Sequence, residues 1–138
     1  MLTDTERTAF AAMADILIPT HGDMPSFTAL GAHLAHTNRV LELRPELLPD
    51  LRAAVSRVKT DIDPEDMANQ LNRDHPDAIG VIGVVASAAY YLDDEVKRKL
   101  GYPGQIQQPV TDDEEYDYEG LLDPVIDRGP IFRPTPTD

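Results

Sequence analysis

The chain has 138 residues, enough for one domain with a modest hydrophobic core, and it contains no cysteine. The missing cysteines exclude disulfides, thiolate metal sites, iron–sulfur ligation and a cysteine nucleophile. A formal net charge of −13 argues against binding to nucleic acid or to an anionic membrane surface, because both need Lys and Arg, and it favours a partner with a basic patch.

The N-terminal residues predict a capped helix. Thr3 and Glu6 have the spacing of a capping box, in which each side chain satisfies a free backbone N–H of the other residue. An apolar stripe at helical spacing follows them. We therefore expect a helix over residues 3–18, which Pro19 ends, and then a polar loop.

Two more helices are expected in the middle of the chain. One begins at residue 26 or 27 and runs to about residue 44, with a break near residues 37–38. The other covers residues 45–60, with Pro45 in its first turn. The apolar positions of this helix form its predicted buried stripe, which comprises Leu47, Leu48, Leu51, Val55 and Val58.

The sequences DPED and DHPD predict two further helix starts, because each pairs a capping Asp with a Pro for the first turn. Asp63 opens a helix to about residue 73, and Asp74 opens one that ends near Leu92. The latter is apolar nearly all round and should be buried on most sides. Its small residues predict close packing inside the subunit, with a dimer contact as the alternative; they are Gly80, Gly83, Ala86 and Ala89.

The C-terminal part of the chain has a different character. Asp93 is expected to cap a short helix over residues 93–100, and Gly101 to end it in a left-handed conformation. No strand pattern of useful length appears, so the predicted fold class is all-α: a compact helical bundle over residues 1–100, followed by a long extended, Pro-rich acidic tail over residues 101–138. The tail holds six of the twelve prolines, and nine acids against two arginines.

Groups with catalytic potential are few. His33 and His36 have the i, i+3 spacing that lets two imidazoles share a metal, but further ligands at matching spacing are missing, and two partly exposed helix histidines are the favoured interpretation. His21 fits a loop and His75 a helix start. The serines have no triad signature, and the phosphate-binding glycine motifs are absent from the sequence. The acidic run over residues 112–119 is interpreted as solvated or partner-facing.

Two segments together are similar to a known family. They are MADILIPTHGDMPSFTALGA, residues 13–32, and AAYYLDDEVKRKLGYPGQIQQP, residues 88–109. The pair resembles the gluconate 2-dehydrogenase subunit 3 family, the small or gamma subunits of heteromeric flavin-dependent sugar and polyol dehydrogenases. Residues 38–75 contribute only a helical pattern to this resemblance.

The resemblance implies a non-catalytic role. The expected partner is a large FAD-dependent oxidoreductase subunit of the glucose-methanol-choline type, which holds the FAD and performs the hydride chemistry on a sugar or glycoside. The small subunit stabilises it in a hetero-oligomer and has no catalytic residues, cofactor or metal of its own. Exported family members have a basic twin-arginine N-terminal extension, whereas this chain starts MLTDTERTAF. We therefore expect a cytoplasmic complex without membrane insertion, unless a signal was removed.

The tail is predicted to lie over this partner, with folding back onto its own bundle as the alternative. Proline lowers the entropy that docking costs, and aromatic side chains fill pockets with little rotamer loss. The predicted partner-binding residues are Tyr91, Tyr102, Pro103, Gly104, Tyr116, Tyr118, Leu121, Leu122, Ile131 and Phe132. The alternative function, which needs no resemblance, is a free-standing helical adaptor or regulator with an acidic interaction tail.

Overall fold

A computed structural model describes residues 1–105 and 118–129 of the chain, and within these residues the all-α prediction is confirmed. The chain separates into two units, Met1–Gly104 and Gln105–Asp138. The helices of the first unit are α1 Asp4–Leu17, α2 Ala32–Ala35, α3 Thr37–Leu43, α4 Leu47–Val55, α5 Pro64–Asp74, α6 Pro76–Tyr91 and α7 Asp94–Lys99. In the second unit, α8 covers Tyr118–Arg128. None of the helices in the described ranges is both long enough and apolar enough to cross a membrane.

The start of α1 has the predicted capping box. The Glu6 amide donates to Thr3 Oγ1 at 3.3 Å, and the Thr3 amide donates to Glu6 Oε2 at 2.7 Å. Arg52 of α4 lies 3.3 Å from the other carboxylate oxygen of Glu6, so the cap also touches a neighbouring helix. Phe10 is fully buried on the inner side of α1 and meets the ring of Phe27 edge to face, with the centroids 5.5 Å apart.

The helix predicted from residue 26 or 27 is shorter in the structure, because residues 27–31 form turns and α2 begins only at Ala32. The Asp15 carboxylate accepts hydrogen bonds from the Thr28 amide, at 2.8 Å, and from the Thr28 hydroxyl, which fixes this turn to α1. Gly31 then has φ +77°, in the left-handed region where a helix cannot continue. The predicted break is confirmed, and it lies at His36, between α2 and α3.

The next helix is also shorter than predicted, since α4 ends at Val55 instead of near residue 60. The Arg57 and Val58 amides donate to carbonyls three residues back, so the chain tightens into a turn there. The predicted stripe is confirmed: Leu51 and Val55 are buried, and the other three members pack against the core. Asp63 caps α5 as predicted, with its Oδ1 accepting the amides of the first turn.

The start predicted for α6 is wrong in one respect. Asp74 is the last residue of α5, and His75 occupies the capping position of α6 without a side-chain hydrogen bond to the helix. Two helices separated by a single residue leave no room for Asp74 to serve as a cap. Pro76 does occupy the first turn, as expected.

The α6 helix is the centre of the first unit, because α1 to α5 and α7 all pack against it. Its small-residue edge is divided. Ala86 and Ala89 are fully buried, which confirms close packing inside the subunit, whereas Gly80 is exposed and nothing lies within 4 Å of where its Cβ would be. The expectation of burial on most sides is therefore confirmed, and one side of α6 remains open.

The two tyrosines at the end of α6 have different environments. Tyr90 is buried, and its hydroxyl donates to the Pro25 carbonyl at 2.7 Å, which ties α6 to the loop after α1. Tyr91 is exposed and contacts Tyr90 edge to face at 5.6 Å. Burial, together with the negative groups nearby, raises the pKa of Tyr90.

We predict that Tyr90→Phe lowers the free energy of unfolding by about 1–2 kcal/mol, because the Pro25 carbonyl loses its donor. Tyr91→Phe, at the adjacent exposed position, should change it by less than about 0.5 kcal/mol. Urea denaturation of both variants measures this. Because the pKa of Tyr90 is raised in the folded state, its hydroxyl contributes fully to the free energy of unfolding below the ordinary tyrosine pKa near 10. This contribution is lost at higher pH. Above about pH 10 the wild type should therefore lose stability faster than Tyr90→Phe. An equal loss of unfolding free energy in the two variants would contradict a stabilising hydrogen bond from Tyr90 to the Pro25 carbonyl.

In the second unit, α8 was not predicted. The sequence favoured an extended tail, and most of that tail lies outside the described residues, but Tyr118–Arg128 forms a helix that contains Pro124. Leu122, Val125 and Ile126 recur at i, i+3 and i+4, which is the helical signal that the prolines and acids around them concealed.

Candidate partner-binding surface

The histidines of the first unit have separate neighbours. His33 has its ring centroid 6.4 Å from that of Phe27, and its Nδ1 is buried without a hydrogen-bond partner among the described residues. His36 Nε2 lies instead 3.0 Å from Asp93 Oδ2. This arrangement does not support a metal shared by the two imidazoles. Within residues 1–105 and 118–129, no group of three or more His, Asp or Glu side chains is placed to hold a metal ion.

A cleft of about 550 Å³ lies where α5 meets α6, facing α4. Arg57 Nη1 is 3.3 Å from His75 Nε2 at its edge, and the carboxylates of Asp50, Asp74 and Asp77 also line it. These side chains are exposed. Opposite charges in a wet, open cleft are an ordinary polar surface, and they do not form a nucleophile–base pair.

Asp93 joins three elements at the end of the bundle. Its Oδ1 accepts the Glu95 amide at 2.8 Å and so caps α7, while its Oδ2 meets His36 at the junction of α2 and α3. Burial of the Asp93 carboxylate opposes ionisation, but the hydrogen bonds from His36 and from the first-turn amides of α7 outweigh it, and the pKa of Asp93 lies below its ordinary value. The position and direction of α7 therefore depend on this carboxylate.

A Schellman motif ends α7, as the glycine predicted. Gly101 has φ +67°, the Tyr102 amide donates to the Lys97 carbonyl at 2.9 Å, and the Gly101 amide donates to the Arg98 carbonyl at 3.1 Å. Val96, which is fully buried, anchors the helix from the other side. The first unit ends at Gly104, three residues after the glycine of this motif.

The Gly101 turn, by which we mean Gly101, Tyr102 and Pro103, is presented to solvent. Tyr102 and Pro103 are exposed, and together with α7 they line a shallow depression of about 410 Å³. Leu100 is exposed beside them. Lys99 contacts the Asp23 carbonyl and also pairs with Glu95 at 3.3 Å, which holds the end of α7 against the loop after α1. The turn is thus an aromatic and apolar surface on a fixed support.

One side of α6 forms a second exposed surface, which we call the α6 face; it comprises Gly80, Val84, Ser87, Ala88 and Tyr91. These positions repeat at three and four residues and run along most of the helix. Val84 is 52% exposed and Tyr91 57% exposed. Leu17 of α1, which is also exposed, borders the face, since a Cβ at Gly83 would lie 3.8 Å from its Cδ1.

The five residues of the α6 face are uncharged, although the chain carries a net charge of −13; the exposed Asp77 lies on the same side of α6, one turn before Gly80. A helix face that only water covers normally carries charged side chains, and contiguous exposed apolar surface marks interaction sites. Sequence reasoning predicted only Tyr91 from this face. The missed signal was that three small residues, Gly80, Ser87 and Ala88, lie on the same side of α6 as Val84, which leaves room for the close approach of another helix.

The remaining predicted partner-binding residues belong to the tail. Tyr118, Leu121 and Leu122 lie in α8, and Leu122 is exposed. Gly104 is half-buried at the end of the first unit. The other predicted members lie outside the described residues; they are Tyr116, Ile131 and Phe132.

Comparison with known proteins adds no relative: no known family, no curated protein and no solved structure matches this chain.

We predict that Asp93→Asn lowers the free energy of unfolding at neutral pH by about 1–2 kcal/mol, since Asn can still cap α7 but cannot give His36 a charged acceptor. Asp94→Asn, at the neighbouring exposed position, should cost less than about 0.5 kcal/mol. Because the pKa of Asp93 is lowered in the folded state, its carboxylate contributes fully to the free energy of unfolding only above the ordinary Asp pKa near 3.9. The difference in stability between Asp93→Asn and wild type should therefore disappear as the pH falls through the pKa of folded Asp93. Urea titrations between pH 7 and pH 3 measure this, and a difference independent of pH would contradict it.

Proposed function

We propose that this chain is the non-catalytic small subunit of an FAD-dependent oxidoreductase that acts on a sugar or glycoside, and that it binds and stabilises the large flavin-bearing subunit. The observation that carries the binding role is the α6 face, an uncharged helix surface exposed on a strongly acidic protein. The class of partner rests on the resemblance of residues 13–32 and 88–109 to the gluconate 2-dehydrogenase subunit 3 family.

The geometry of the first unit suits a rigid docking module. Tyr91 projects from α6, the central helix, and the preceding residues Ala89 and Tyr90 are buried. The backbone at Tyr91 is therefore fixed, and only its side chain loses conformational entropy when a partner binds. Tyr102 follows a Schellman motif and is likewise held by its backbone. Exposed aromatic side chains on fixed supports are the groups that dominate binding energy at protein interfaces.

Each of the two segments that carry the resemblance includes part of an exposed surface. Residues 88–109 span the end of the α6 face and the whole Gly101 turn, whereas residues 13–32 include Leu17, which borders that face. The partner's catalytic chemistry, its FAD and its substrate then belong to the larger chain. The role of this chain is to cover apolar surface on that subunit and so to raise its stability by mass action.

We predict that the full chain, affinity-purified from its native host at moderate salt, carries a larger chain at a fixed ratio and a visible flavin absorption band. Val84→Asp should reduce the recovered flavin at least about tenfold, because a carboxylate would be desolvated in the contact. The matched control is Leu43→Asp on α3, where the wild-type leucine is 57% exposed and is not one of the residues of the α6 face. This variant should stay within about twofold of wild type.

A colourless preparation of the lone chain would contradict the proposal, and a fixed partner without flavin would favour the adaptor function instead. Equal loss in the two Asp variants would show that the α6 face has no special part in binding. Circular dichroism of each variant establishes that it has folded, so that a loss of flavin reports binding alone.

A further inference from the structure

The α8 helix presents exposed apolar side chains. Leu122 is 50%, Val125 51% and Ile126 68% exposed, and their spacing places them on one side of the helix. Asp127 lies two residues after Val125, about 200° further around the helix, and so faces the other way. The helix is therefore amphipathic, with an apolar side open to a partner.

A helix of this kind gains little from its own sequence. It has 11 residues and contains Pro124, which cannot donate a backbone hydrogen bond, and isolated helices shorter than about 12–15 residues are marginal in water. Helices in proteins gain most of their stability by packing an amphipathic side. Burial of Leu122, Val125 and Ile126 against a surface would supply that packing.

The negative charge of the tail indicates which kind of surface could bind α8. The tail over residues 101–138 carries nine acids against two arginines. Within the helix itself Asp123 borders the apolar side next to Ile126, and Arg128 borders it next to Val125. An anionic membrane would repel the acids of the tail, and a second copy of the chain would bring its own acids to the contact. A groove with an apolar floor and a rim of Lys and Arg complements both parts of the helix.

We propose that α8 is a docking helix that inserts Leu122, Val125 and Ile126 into an apolar, Lys- and Arg-rimmed groove on a protein partner. The inference deepens the proposed function, on which it rests for the identity of the partner as the flavin-bearing subunit. It assigns the tail a helix-in-groove mode of recognition in addition to the α6 face. Two contacts on one chain raise the effective concentration of the second once the first has formed.

Site-specific photo-crosslinking in the full chain tests this directly. A benzoylphenylalanine residue replaces Val125 in one variant and Asp127 in the matched control, each is produced in the native host and irradiated, and the adducts are mapped by mass spectrometry. We expect the Val125 variant to form adducts with one larger protein, at apolar residues flanked by Lys and Arg. The Asp127 variant should give an adduct yield at least about fivefold lower, since residue 127 faces away from the groove.

The role of charge has its own measurement on the same complex. The variant Asp123→Lys, at the border of the apolar side, should weaken association at low ionic strength by at least about tenfold, and the loss should shrink at 1 M salt, where the Debye length is about 3 Å. If the variant binds the partner as well as wild type does, or if its loss of affinity does not depend on salt, the groove has no rim of Lys and Arg.

The outcomes separate the inference from the function on which it rests. Equal adduct yields at the two positions, adducts only with this chain or with lipid, or no adduct would overturn docking by α8, even if a flavin-bearing chain still co-purifies. Adducts that map to a basic-rimmed groove on a protein without flavin would support docking and would contradict the proposed function.

Discussion

The burial of α6 is the constraint on which the rest of the first unit depends. Between Ala78 and Leu92 the sequence has no charged residue, and six other helices pack against this segment. Burial of such a segment supplies much of the hydrophobic stabilisation available to a domain of this size. The same absence of charge gives the α6 face its character, because the side that the bundle leaves open is uncharged from Gly80 to Tyr91. Folding and the proposed partner binding thus use different sides of one helix.

Asp93 fixes the position of α7, and therefore of the Gly101 turn, relative to the end of α6. Its carboxylate caps α7 and pairs with His36, so the helix that follows α6 is fixed both to its own backbone and to the junction of α2 and α3. The Schellman motif then sets the direction in which the chain leaves α7. The backbone of Tyr102 is therefore held in place by a chain of local hydrogen bonds, which lowers the entropy that an interface contact at this position would cost.

The sequence was a good guide where local chemistry decides the structure and a poor one where tertiary packing does. The capping residues Thr3, Asp63 and Asp93 were identified correctly, because a cap is a contact between residues close in the chain. The late start of α2 was missed, since it depends on Asp15, thirteen residues from the turn that it holds. The exposed side of α6 was missed for the same kind of reason: an all-apolar pattern does not reveal which side the neighbouring helices leave open.

The central claim is that this chain is a binding subunit of a flavoprotein, and native mass spectrometry of the chain isolated from its host tests it most directly. The account predicts a non-covalent assembly in which the 15.3 kDa chain accompanies one larger chain at constant stoichiometry, and from which gas-phase activation releases FAD. A spectrum that contains only the 15.3 kDa chain, or an assembly from which no flavin is released, would contradict it.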